Sequence, residues 1–109
     1  MAYTVQIPPQ VTIAGFTGNE IVPNKQVSIQ GDSLCLTVYA QMVDSTTEEV
    51  VVAPVPFNAQ VNKNRADFKD ILKSQLIAAI KEWKLKATEE LSIRENTLAG
   101  LETELEVAV

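Results

Sequence analysis

Apolar and polar positions alternate through the first half of this chain, and the period then changes. Tyr3, Val5 and Ile7 alternate with Thr4 and Gln6 up to "PP"; Val11 and Ile13 precede the turn-prone "GFTGN"; Val27 and Ile29 alternate with Gln26, Ser28 and Gln30. The cleanest run is Leu34, Leu36, Val38, Ala40 and Met42, with Cys35, Thr37, Tyr39 and Gln41 facing the other way. "DSTT" reads as a hairpin loop into "EEVVVAPVPF". A period of two is the pattern of half-buried strands, and sequential strands joined by short loops pair most easily antiparallel.

From "NRADFKDILKSQLIAAIKEW" onward the period is helical. At 100° per residue, Phe68, Leu72, Leu76, Ala79, Ile80, Trp83 and Ala87 share a stripe about 120° wide, enough for one buried face. Asn64 is placed to cap this helix, with Asp67 three residues later in the position of a capping-box acid, and Asp67 and Asp70 complement the positive end of the helix dipole. The reading therefore divides the chain into an antiparallel β domain, residues 1–63 with strands over about 3–57, and a helical segment, residues 64–109. The fold class is α+β: a small antiparallel sheet or sandwich followed by a long amphipathic helix.

The stripe continues in phase through Leu91, Leu98, Leu101 and Leu105, whose steps of seven, three and four residues are those of a coiled-coil seam. Arg94 interrupts it, and Gly100 weakens the helix by about 1 kcal/mol relative to alanine. An unbroken helix from Asn64 to near Glu106 would be roughly 60 Å long, about twice the width of a compact domain of this size. Either the helix breaks near 88–92, with Ser92 and Glu95 as a second capping box and the last segment folded back, or it runs outward. In the second case Leu91, Leu98, Leu101 and Leu105 meet another chain. From Thr88 to Val109 there are six acids and one base, Arg94. A partner surface carrying Lys or Arg would match that end, and a frayed, solvated acidic terminus is the plain alternative.

Composition sharpens the boundary. All five prolines lie before residue 57 and three of the four glycines before residue 32, so the turn-rich half is the strand half. Pro54 and Pro56, two apart in one strand, remove donors from the same side, which places that strand at a sheet edge. Protection against edge-to-edge pairing is the favoured reason, and a segment docking on a neighbouring subunit is the other.

Charge and residue inventory then exclude functions. A net charge of −5 argues against a nucleic-acid partner, which needs clustered Lys and Arg. No apolar run approaches the roughly 20 residues that cross a bilayer, and "MAYTVQIPPQ" has no basic-then-apolar leader, so neither a cleaved signal nor a membrane span is expected. With no histidine and the single Cys35, a buried sheet residue in this reading, no metal site, hydrolase triad or intrachain disulfide is expected. Asp32, Asp44, Glu48 and Glu49 fall at turns or strand ends, and adjacent Glu48 and Glu49 would point to opposite faces. "GFTGNE" lacks the lysine and following helix of a phosphate loop. The chain is expected to have no catalytic residues, cofactor or metal, and not to be an enzyme.

The order of a Thr/Gln/Val-rich β segment, the strand "VVVAPVPFNAQV" and the helix "ADFKDILKSQLIAAIKEW" resembles small virion structural proteins of tailed bacteriophages, such as tail, neck or capsid accessory subunits. The resemblance implies a non-catalytic subunit present in many copies, assembled in the host cytoplasm, with other protein chains as partners in a homo-oligomer or beside neighbouring structural subunits. It brings no site residues with it. On the residues alone, the candidate interface is Leu91, Leu98, Leu101, Leu105, Pro54 and Pro56. The alternative is a small ligand- or glycan-binding module using "PPQ" or "GFTGN", with few aromatics to stack on a sugar.

Overall fold

The computed structural model describes residues 3–109. The long alternating run becomes strand β5 (Ser33–Asp44), and every other strand of the main sheet pairs with it. Along one side lie β1 (Tyr3–Gln6), opposite Gln41 to Asp44, and β4 (Lys25–Gln30), opposite Ser33 to Val38. Along the other side lies β6 (Val50–Asn62). All these pairings are antiparallel. A bent C-terminal helix follows, so the chain is α+β, as the change of period predicts.

Between β1 and β4 the chain makes an excursion. Strands β2 (Gln10–Gly15) and β3 (Gly18–Pro23) form a second, two-stranded sheet closed by Phe16 and Thr17. The alternation of Val11 and Ile13 marks β2; β3 has adjacent Ile21 and Val22 in place of alternation, and its first residues, Gly18 and Asn19, belong to the turn-prone "GFTGN". Asn24 joins the two sheets. It is 1% exposed, its backbone N–H donates to Pro9 O (3.0 Å), and its side chain spans both polar groups of Tyr39. The Asn24 Nδ2 donates to Tyr39 O (2.6 Å) and Tyr39 N donates to Asn24 Oδ1 (3.1 Å). In this way a side chain satisfies β5 at the point where neither β1 nor β4 reaches it.

Helix α1 runs over Phe68–Leu98, and α2 over Leu101–Ala108. Two expectations are corrected here. Asn64 does not cap the helix, because β6 stays paired with β5 through Asn62 and the chain must turn before it can coil. The Asn62 Oδ1 accepts from Asn64 N (2.8 Å), and Asp67 is engaged by Arg65 at 3.0 and 3.1 Å, an ion pair that holds its carboxyl below the usual range. Nor does the helix break at 88–92. The break is at Ala99 and Gly100, where Gly100 takes a left-handed φ of 75° that costs a glycine little.

The helix lies along the sheet on the even-numbered face of β5. From Leu34 to Met42 is about 27 Å of strand and from Leu72 to Leu91 about 28 Å of helix, so the two run side by side. They bury two clusters. At one end Leu34, Ala59, Val61 and Leu72 pack with Phe68 and Leu76; at the other Met42, Ala87 and Leu91 pack with Val5, Val52 and Trp83. Trp83 also meets Phe57 edge to face, 5.3 Å between centroids. Of the stripe expected to form one buried face, Leu72 and Ala87 are buried and Phe68, Leu76 and Trp83 are half-buried against these clusters, while Ile80 is half-buried and belongs to neither.

The prolines sit where a sheet tolerates them. Among the described strands β6 pairs only with β5, so its other side is an edge. Gln60 directs its N–H and C=O away from β5, and the Gln75 side chain on α1 takes both, at 3.1 and 2.9 Å. Pro56, four residues earlier, shares that outward phase and has no N–H to present. Pro54 does not stand in regular phase with it, since the register slips between Ala40/Val55 and Met42/Val52 and leaves Pro54 in a bulge. The expectation that both prolines remove donors from one side is therefore met by Pro56 alone, on an edge that a helix side chain covers further along.

Candidate interaction surface

The helix covers β6 more than β4, and this offset leaves part of the apolar face of the sheet open. Val27 and Ile29 on β4 are directly opposite Leu36 and Leu34, hence on the helix-bearing face, yet they are 65% and 60% exposed. Beside them runs a groove of about 560 Å³ between sheet and helix. Leu36 and Val38 form its sheet wall, Leu76, Ile77 and Ile80 its helix wall. Three lysines stand at the groove, Lys25 on the β4 side and Lys69 and Lys73 one helical turn apart on α1. No acid lines it. The groove thus combines an apolar floor with a rim of one sign of charge.

The other end of the molecule is the reverse. Tyr3 donates a hydrogen bond to the Glu95 carboxylate, which together with burial pushes the phenol up to about 12, so the tie persists through neutral and moderately alkaline pH. Beyond Glu95 the helix leaves the sheet. Leu98 is 58% exposed and Leu105 54%, with Leu101 half-buried and Val107 exposed. On α2, Leu101, Leu105 and Ala108 fall on one face at spacings of four and three, and Glu104 on one side and Glu102 on the other flank it. The radius of gyration of 18.4 Å exceeds the about 13 Å of a compact chain of this length, and the long axis is 65 Å.

Of the predicted interface residues, Leu98, Leu101 and Leu105 lie together on this projecting end. Leu91 does not: it is 7% exposed and belongs to the core around Met42, because the chain's own sheet extends further under the helix than the stripe alone discloses. Pro54 and Pro56 lie at the β6 edge, apart from both the groove and the tail. The groove itself was not anticipated. Its one signal in the sequence is charge segregation: residues 63–86 hold seven bases and three acids, the mirror of the acidic stretch that follows.

The remaining polar groups serve the fold. Asp44 Oδ1 accepts from Thr46 N (2.8 Å) and Thr47 N (3.2 Å), closing the β5–β6 loop, in which Glu48 takes a φ of 60°. The outer face of the main sheet is knit by uncharged pairs, Thr37 to Asn58 and Gln41 to Gln6, both 2.6 Å. Cys35 is half-buried on that face. At the β2–β3 tip Phe16 is fully exposed. Among the described residues no three His, Cys, Asp or Glu side chains gather as a metal site, and no helix is long and apolar enough to cross a membrane.

The chain was compared with protein-family models, with curated proteins and with solved structures, and none of the three comparisons finds a match.

Proposed function

We propose that this chain is a non-catalytic structural subunit of a multi-copy assembly, of the kind tailed bacteriophages use in tail, neck or capsid, and that it works by contact with other protein chains. The observation that carries this reading is the pair of unpartnered apolar surfaces at opposite ends of a 65 Å molecule, the groove beside Val27 and Ile29 and the projecting leucines of the tail. A chain of 109 residues that leaves this much apolar surface in water gains stability when another chain covers it. The virion setting rests on the order of elements, a Gln/Thr/Val-rich sheet with a proline-marked edge strand followed by a long helix.

A second reading, a small-ligand module, draws on the same groove, whose lysines over an apolar floor suit an apolar carboxylate. It gives no role to the tail. The two readings separate by mass. Static light scattering over a concentration series is expected to show the 11.9 kDa chain rising to multiples of that value. A mass fixed at the monomer value at every concentration would overturn the assembly reading.

A further inference from the structure

We infer that α2 of one copy seats in the lysine-rimmed groove of a second copy, so that the chain assembles head to tail through its own two ends. This rests on the assembly reading above and names the partner surface. The match is two-sided. The groove has an apolar floor with Lys25 on its sheet side and Lys69 and Lys73 on its helix side. The helix α2 offers Leu101 and Leu105 on one face, with Glu104 and Glu102 on either flank. An amphipathic helix laid in such a groove buries its leucines and brings a carboxylate to each lysine-bearing wall.

The contact must be made between copies. From Leu76 at the groove to Leu98 is about 33 Å of straight helix, while α2 is only about 12 Å long, so the tail falls short of its own groove even if Gly100 turns it fully back. Charge along the chain agrees with an intermolecular pairing. Seven bases and three acids in residues 63–86 face six acids and one base from residue 88 onward, so an acidic protein that would repel itself as a uniform sphere attracts itself end to end. Because the two surfaces differ, the interface is heterologous and closes as a reciprocal dimer or a ring, or extends as a filament.

The test uses the full chain in two charge-reversed forms. One carries Lys69→Glu with Lys73→Glu in the groove; the other carries Glu102→Lys with Glu104→Lys on α2. All four residues are exposed, so both forms are expected to fold, which circular dichroism checks. At low salt each form alone is expected to associate about tenfold or more weakly than the parent, and an equimolar mixture to recover association, since every tail then finds a groove of opposite charge. Loss in both forms without recovery on mixing, or undiminished association of either, would overturn the pairing while leaving the assembly reading in place. A parent chain that stays monomeric throughout would overturn both.

Discussion

Replacing Met42 by alanine is expected to lower the stability of the chain by about 2 to 5 kcal/mol, a large part of the 5 to 15 kcal/mol of an ordinary small domain. Met42 is fully buried and joins β5 to the far end of α1 through Ala87 and Leu91. Its neighbour Ala87 carries only a methyl group and cannot fill the space. The register of β6 against β5 slips on both sides of Met42, so the local backbone is held by packing more than by a regular ladder. Met42→Leu, which keeps most of the volume, should cost less than about 1.5 kcal/mol. Urea unfolding followed by the fluorescence of Trp83, which packs on this cluster and is the single tryptophan, reads both values.

Asn24 should be the second most sensitive position, for a polar reason. Alanine at this site removes the donor to Tyr39 O, while Tyr39 N keeps the Asn24 backbone O (3.3 Å) as an acceptor, leaving a part-buried carbonyl with a missing partner at a cost of about 1 to 3 kcal/mol. Asn24→Asp has the same shape and should cost more at neutral pH, because a buried carboxylate oxygen would face that carbonyl. Burial raises the folded-state pKa of such an aspartate above its unfolded value. Stability is therefore regained as pH falls through the folded pKa, when the protonated carboxyl donates to Tyr39 O, and is lost again as pH rises through it. Thermal unfolding of both variants at pH 7 and pH 4.5 separates the two effects.

What the chain discloses in one dimension is period, and period is local. The alternation of Leu34 to Met42 and the stripe from Phe68 to Ala87 both appear in the fold because side-chain direction follows directly from strand and helix geometry. The start of the helix was misplaced because it depends on a partner far away. Asn62 stays in β6 through its pairing with Ser33, and that ladder delays the helix to Phe68. Leu91 and Leu98 are in phase on one stripe, yet the first is buried and the second exposed, since the reach of the sheet and the Tyr3 to Glu95 tie decide where the helix departs. The groove was hidden for the same reason. Val27 and Ile29 alternate as any buried pair would, and only the lateral position of α1, nearer β6 than β4, leaves them open. Gly100 reads as a weak point in the helix, and of the two arrangements the sequence leaves open, a break near 88–92 or a helix running outward, the first is not found, since the neighbours of Ser92 continue the helix without interruption.

Amide hydrogen exchange of α2 at low and high protein concentration tests most directly whether a second copy holds the tail. A helix of eight residues is marginal in water by itself, so its amides should exchange almost as in a free peptide when the protein is dilute. If the tail seats in the groove of another copy, the amides of Leu101 to Ala108 should slow by about tenfold or more as concentration rises through the association range, while those of β5 stay unchanged. Exchange in α2 that is fast at every concentration, or slow and independent of concentration, would contradict it.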